Sequence, residues 1–230
     1  MKRSISANIS RTETIWGWCY LAFQLLLLPS IFHAVNGTLS RPLGEAELNF
    51  TFFLLNFLAI LWIFHDFLGH SAAQAVQHPA YLIQAVILGT IACFACTRCV
   101  DLAVSRFFPS FHNLNDASIA ALSHSGYFLT AIGTVILVPP VEECLYRGLI
   151  FRKLYSKNRF AAYIVSIIAF AMIHILGYIG SYSPTEILLC VLQYLPAGLC
   201  LAWAYTKADT IFAPIAIHAI VNAVGIAQMR

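Results

Sequence analysis

Charged residues are scarce in this sequence, and their scarcity indicates the class of protein. Of the 230 residues, only 10% are Asp, Glu, Lys or Arg, whereas 60% are hydrophobic. A soluble domain carries about 25% charged residues and about half apolar ones. Water is therefore not the main solvent of this chain, and we expect residues 1–230 to form a single integral membrane domain.

The sequence also lacks the features of nucleic-acid-binding proteins and of disulfide-rich proteins. The net charge is only +3, and the basic residues are scattered rather than grouped with aromatic residues, so nucleic acid is not an expected partner. The 7 cysteines are an odd number, and they all lie in apolar segments. A disulfide framework is therefore not indicated.

Long apolar runs fill most of the chain. A helix needs about 20 residues to cross the hydrocarbon of a bilayer, and several runs approach or exceed that length. We predict an all-α fold, a polytopic transmembrane helix bundle with about seven membrane helices around a polar cavity. The predicted spans are 13–35, 48–67, 79–104, 123–155 with an interruption, 159–177, 184–206 and 209–228.

The positions of Lys and Arg predict the orientation in the membrane, because short loops that carry them tend to remain cytoplasmic. Most of them lie in three segments that are predicted to be on the same side of the membrane. These segments contain Lys2, Arg3 and Arg11; Arg152, Lys153, Lys157 and Arg159; and Lys207. The opposite side holds Arg41, Arg106 and Arg230. We therefore expect a cytoplasmic amino terminus.

Polar residues at membrane depth are the strongest indication of function, since each ionisable group there costs at least about 2.5 kcal/mol. Glu143 and Arg147 are four residues apart with the acid nearer the amino end, which favours an ion pair on one helix face. Glu142 points about 100° away from Glu143 around the helix, and no local residue neutralises it. Glu142 is therefore the first catalytic candidate; the alternative is a kinked helix with a satisfied salt bridge and no catalytic role.

Prolines precede these polar groups. Pro139 and Pro140 are expected to interrupt the long fourth span and to restart a helix just before the two acids. The acids would then lie in an electropositive first turn, which favours their ionised forms. Pro214 is expected to loosen the last span in the same way, four residues before His218.

Two later segments add histidines. Phe170 lies one helical turn before His174, and His218 and Asn222 share a helix face. A single histidine in an apolar helix is usually a core residue bonded to a backbone carbonyl. Together with Glu142, however, these residues supply a base for water and donors for an oxyanion, which are the groups that amide hydrolysis requires.

The three patterns resemble the motifs of a known family. Glu142-Glu143 followed by Arg147 matches EExxxR, Phe170 with His174 matches FxxxH, and His218 with Asn222 matches HxxxN. In this order, on separate helices within residues 139 to 222, they resemble the CPBP intramembrane proteases, which include type II CAAX prenyl endopeptidases and bacteriocin-immunity (Abi) proteins. The first hundred residues carry no motif of the family, so we expect the protease core at approximately 123–228.

The resemblance implies an intramembrane endopeptidase that hydrolyses a peptide bond in a peptide or protein tail, with or without a prenyl group. Glu142 would be the general base with His174 assisting, and His218 and Asn222 would stabilise the oxyanion. Glu143 is grouped with these catalytic residues and would hold the shape of the motif together with Arg147. Phe170 and Tyr146 would give structural support.

Several points stay open at this stage. Glu142, His174 and His218 could instead present three ligands to zinc, with water in the fourth position. A non-proteolytic immunity or scaffold protein, or a small transporter, is an alternative function. The resemblance is greater to bacterial members, so we expect a bacterial plasma membrane, with membrane lipid and a peptide or protein substrate as partners.

Overall fold

The computed structural model describes Ile5 and residues 8–229, and these residues form an all-helical bundle without a β-strand. The predicted fold class is therefore confirmed. Lys2, Arg3 and Arg230, which contributed to the predicted orientation, lie outside the described residues. The helices are α1 (Arg11–Leu26), α2 (Leu28–Thr38), α3 (Glu45–Ile63), α4 (His65–Gln77), α5 (Pro79–Phe107), α6 (Leu114–Tyr155), α7 (Arg159–Ile173), α8 (Pro184–Ala208) and α9 (Phe212–Gln228).

Four helices are long and apolar enough to cross a membrane, namely α3, α5, α6 and α8, and the chain is a multi-pass membrane protein. Helices α1 and α2 are bent by 55° relative to each other and would count as a fifth span if they cross as one unit. Helices α7 and α9 are apolar but shorter. Seven membrane crossings, and the orientation that follows from them, stay a prediction.

The fourth predicted span lies in α6, a helical span of 42 residues that is kinked at Gly126 and continues through Pro139 and Pro140. The expected restart of a helix at these prolines is wrong. Wider π-helical turns precede and follow the acidic pair, at Gly133–Leu137 and Cys144–Phe151. A π turn widens the helix and so leaves room for the proline rings. It also changes the hydrogen-bond pattern of the backbone where the prolines have no N–H to donate. Glu142 and Glu143 are therefore inside a helix rather than at a free amino end.

Pro214 also differs from the prediction. Helix α9 begins at Phe212, so Pro214 lies in its first turn, where a backbone N–H has no partner within the helix. The helix then runs without interruption past His218 and Asn222. The expected loosening near His218 is absent, and α9 presents both side chains from a regular helix.

Helix α8 packs against α5 and α7, and one glycine allows close approach to α7. A Cβ atom at Gly198 would lie 3.2 Å from the Cα atom of Ile167. Any larger residue would push the two helices apart. The close packing leaves the backbone carbonyl of Gly198 within reach of the polar residues of α6.

Candidate active site

A fully buried ion pair forms the centre of the site. Arg147 Nη1 lies 3.0 Å from Glu143 Oε1, and both side chains have no exposed surface. Arg147 Nη2 donates to the carbonyl of Gly198 at 3.2 Å, and its guanidinium carbon lies 4.2 Å from the ring centroid of Phe170. The ion pair predicted from the spacing is present, and the extra contacts offset part of the desolvation cost of a buried charge pair.

His218 joins the same carboxylate from α9. Its Nδ1 atom lies 2.9 Å from Glu143 Oε1, the oxygen that Arg147 also contacts. With Glu143 ionised in its pair with Arg147, the Nδ1 of His218 is the donor in this bond. The Nε2 atom of His218 therefore accepts a hydrogen bond when the ring is neutral and donates one when the ring is an imidazolium.

Glu142 faces His174 rather than Glu143. Their nearest atoms, Glu142 Oε2 and His174 Nε2, are 4.0 Å apart, and both side chains are mostly buried, with 16% and 14% exposed. The Nδ1 atom of His174 lies 2.8 Å from the carbonyl oxygen of Phe170. Because a carbonyl oxygen only accepts, Nδ1 carries the proton, and a neutral His174 presents the lone pair of Nε2 to Glu142.

Phe170 is the aromatic centre around which these groups are arranged. Its ring centroid lies 4.8 Å from that of His174, 5.6 Å from that of His218 and 6.2 Å from that of Tyr146. The last two pairs are T-shaped, a favourable geometry for aromatic rings. Phe170 therefore contacts both histidines and Arg147, and Tyr146 packs on its far side.

Asn222 contacts the backbone of α6. Its side-chain Nδ2 donates to the carbonyl of Thr134 at 2.8 Å. In this π turn the N–H of Val138 bonds to Gly133, and the next residue, Pro139, has no N–H to offer Thr134. The Asn222 amide therefore replaces the missing donor and ties α9 to α6, and the second hydrogen of its NH₂ group is not used by this bond.

A cavity of about 890 Å³ brings the exposed parts of these groups together. Glu142, His174, His218 and Asn222 all line it, whereas Glu143 and Arg147 lie behind its wall. Its lining includes apolar side chains, among them Phe53, Phe94, Val138 and Val221. It also includes polar side chains that bond to one another: Gln193 donates to Asp101 at 2.8 Å and accepts from Asn113 at 2.9 Å.

Comparison with known proteins identifies the part of the chain that contains this cluster. Residues 124–224 match the family model described as Type II CAAX prenyl endopeptidase Rce1-like. This segment belongs to the Rce1-like family. The match supports a CAAX-type intramembrane endopeptidase, a class of protease that acts on a peptide or protein substrate. Comparisons with curated proteins and with solved structures found no match.

The Rce1-like segment contains two contributors to the site that the sequence did not indicate. The ring of Tyr194 stacks on His174 with centroids 4.2 Å apart and planes at 24°, and its hydroxyl donates to Asn113 Oδ1 at 3.3 Å. Thr134 supplies the carbonyl that holds Asn222. Gln193-Tyr194 is a polar pair inside an apolar span, and this signal was available in the sequence.

The alternative of a zinc centre was tested against the arrangement of possible ligands. Within Ile5 and residues 8–229, no group of three His, Cys, Asp or Glu side chains is placed so that it could hold a metal ion. The Nδ1 atom of His218 bonds to Glu143 and that of His174 to Phe170, so only the Nε2 atoms of the two rings remain for a further ligand. Among the described residues, the side chains of Glu142, His174 and His218 are therefore not grouped as a zinc site.

Proposed function

We propose that the chain hydrolyses a peptide bond in a membrane-associated peptide or protein tail, using a water molecule activated by Glu142 and His174. The observation that carries the proposal is the pairing of Glu142 Oε2 with His174 Nε2 at 4.0 Å on the wall of the cavity. Glu142 Oε2 is buried and has no hydrogen-bond partner among the described residues. A buried carboxylate oxygen without a partner is costly, and a water molecule would satisfy it.

The two facing atoms suit a bridging water. Both are acceptors, and 4.0 Å is too long for a direct hydrogen bond between them. A water molecule that donates one O–H to each atom has its lone pairs directed away from both. During attack on the substrate carbonyl, Glu142 takes one proton from the water as the new C–O bond forms. The same proton then passes to the leaving nitrogen as the C–N bond breaks.

Asn222 and His218 are the proposed donors to the oxyanion. Asn222 uses one amide hydrogen for Thr134, and the other is available to a negatively charged oxygen in the cavity. His218 donates through Nε2 as the imidazolium, with the Glu143 carboxylate on its other nitrogen. Glu143 and Arg147 act by positioning His218 and do not themselves contact the substrate.

The cavity also suggests the kind of substrate. Polar groups of the lining can bond to a peptide backbone, and apolar side chains such as Phe53 and Phe94 can contact an apolar or prenylated side chain. The amino terminus is proposed to be cytoplasmic, because basic residues are found before α1, around the turn from α6 to α7 and at the end of α8. A bacterial plasma membrane is the proposed location.

Comparative peptidomics of cell membranes tests the function. Cells that express the wild type should accumulate peptides that are missing in cells with Glu142→Gln, because glutamine cannot take a proton from water. Glu45→Gln, which changes an exposed acid at the start of α3, should give the wild-type peptides. If Glu142→Gln at equal abundance gives the same peptides as the wild type, the mechanism is wrong; a phenotype without any cleavage would favour the scaffold alternative.

A further inference from the structure

A second cavity, of about 790 Å³, lies at the end of the bundle where α1 begins, α6 ends and α7 begins. Its lining contains five cationic side chains from these three segments and no Asp or Glu within the part of the chain that the structure describes. The cationic residues are Arg11, Arg152, Lys153, Lys157 and Arg159. So concentrated a positive charge in a concave site favours the binding of an anion.

Asn8, which precedes α1, also lines this basic cavity. Arg152 Nη2 donates to Asn8 Oδ1 and so ties the segment before α1 to the end of α6. The nearby acid, Glu13, does not neutralise the cavity, because its carboxylate is buried and bonded elsewhere. Glu13 Oε1 accepts from the N–H of Phe67 and Oε2 accepts from the N–H of Ser10, both at 2.8 Å.

Two cationic side chains of the cavity are held in place. The Nε atom of Arg152 is buried and has no hydrogen-bond partner within the described residues, although the same guanidinium is fixed by Asn8. The guanidinium carbon of Arg159 lies 5.1 Å from the ring centroid of Tyr155. Held guanidinium groups bind phosphate well because their planar N–H groups match its oxygens.

The surroundings of the basic cavity indicate that the anion belongs to a lipid. Ile15, Trp16 and Phe160 are 53%, 52% and 77% exposed on the helices that border the cavity, and in a membrane protein such side chains contact lipid. The cavity wall itself has an apolar part that includes Ile9 and Leu149. A free phosphate ion would not use these apolar surfaces, whereas a phospholipid would use both parts.

We propose that the basic cavity binds the phosphate headgroup of an anionic phospholipid at the membrane surface. Basic pockets between membrane helices recognise such headgroups in the way this cavity allows. The bound lipid would join the segment before α1 to the ends of α6 and α7. The site is separate from the residues proposed for peptide hydrolysis, and the inference does not depend on that activity.

Native mass spectrometry of the purified full chain in detergent tests this site. Dioleoylphosphatidylglycerol and dioleoylphosphatidylcholine have the same acyl chains and differ in net charge, so they separate charge recognition from acyl-chain binding. We expect the wild type to retain phosphatidylglycerol preferentially. Lys153→Gln combined with Lys157→Gln should weaken its retention about tenfold or more, since each cation near an anionic surface contributes to binding.

Lys207→Gln is the matched control. Lys207 lies in the last turn of α8, just as Lys153 lies in the last turn of α6, but Lys207 does not line the basic cavity. It should retain lipid like the wild type. Equal retention of both lipids, or equal loss with Lys207→Gln, would overturn the proposal. Displacement of the lipid by millimolar inorganic phosphate would show an aqueous anion site instead. Arg11→Gln replaces the double variant if the latter does not fold, with the same expected loss.

Discussion

The Nε2 atom of His174 lies 4.0 Å from the Oε2 atom of Glu142, although Glu142 lies within α6 and His174 directly follows the end of α7. The hydrogen bond from His174 Nδ1 to the carbonyl of Phe170 orients the imidazole so that its Nε2 atom faces Glu142. A histidine bonded to a backbone carbonyl was also the expected form of an inert core residue. His174 differs from that class because it lies on the cavity wall and faces Glu142 Oε2, a buried oxygen with no hydrogen-bond partner among the described residues.

Replacing His174 by phenylalanine should remove activity but keep the fold. The phenyl ring preserves stacking on Tyr194 and removes the acceptor that would hold the water, so we expect the cleavage rate to fall by about 10²- to 10⁴-fold. The rate is measured in proteoliposomes with a peptide substrate identified by peptidomics. His70→Phe, at an exposed position of α4, serves as the control and should cleave like the wild type. Unchanged cleavage by His174→Phe would exclude the proposed role.

Tyr194 should act by positioning His174. Tyr194→Leu removes the stacked ring, and we expect cleavage to fall by up to about tenfold, because an aromatic pair contributes about 0.5–1.5 kcal/mol. Tyr194→Phe keeps the ring and loses only the hydrogen bond to Asn113, so its rate should remain close to that of the wild type. Equal losses in the two variants would show that the hydroxyl, rather than the stacking, matters.

The bond from Asn222 to Thr134 should stabilise the fold because Pro139 supplies no donor. Asn222→Leu should lower the free energy of unfolding by about 1 kcal/mol, because the part-buried carbonyl of Thr134 loses its hydrogen-bond partner. In a Pro139→Ala background the cost should be smaller, since the new N–H can donate to Thr134. Both values come from denaturant unfolding in detergent micelles.

Pro140→Ala is the matched background for this comparison. Its new N–H would be one residue further along α6 and would not replace the donor to Thr134. Asn222→Leu should therefore cost as much in that background as in the wild type. The same cost in the Pro139→Ala background would contradict the explanation of why asparagine is found at position 222.

Losing one partner of the Glu143–Arg147 ion pair should destabilise the fold more than replacing both partners. Arg147→Met leaves a buried carboxylate without its cation and should lower the free energy of unfolding by about 3–5 kcal/mol. Adding Glu143→Gln to that variant removes the uncompensated charge and should recover part of the loss. The amount of folded protein and its unfolding in denaturant give the comparison. A double variant less stable than Arg147→Met would contradict charge compensation as the reason.

Removal of divalent metal ions should leave cleavage unchanged, because the described histidine and carboxylate side chains do not form a group of three suited to a metal. The measurement compares proteoliposomes treated with 1,10-phenanthroline and untreated ones, with metal analysis of the purified chain. Loss of cleavage that zinc restores would require the ligand arrangement to change on binding.

Contacts between side chains of the same helix were predictable from their spacing in the sequence. The ion pair between Glu143 and Arg147 followed from a spacing of four, because a regular helix places such side chains on one face. The all-α membrane class followed from composition, because few arrangements other than helices satisfy the backbone in lipid. The order of the three motifs also indicated the family that the comparison of residues 124–224 supports.

Contacts between side chains of different helices were not predictable from spacing in the sequence. The bond between His218 and Glu143 and the stacking of Tyr194 on His174 depend on how α6, α7, α8 and α9 pack. That packing includes the approach of α8 to α7 at Gly198, which no local rule specifies.

The wrong predictions about Pro139, Pro140 and Pro214 have a physical cause. A proline removes one N–H and crowds one carbonyl, but whether the helix then ends, bends or widens depends on whether other groups can satisfy the backbone. In α6 a π turn and the amide of Asn222 do so, and the donor comes from a helix far along the chain. The amino-acid order therefore establishes the chemical groups and their spacing along each helix. Interhelical packing establishes which of these groups come into contact, because no repeat in this sequence specifies which helix faces lie together.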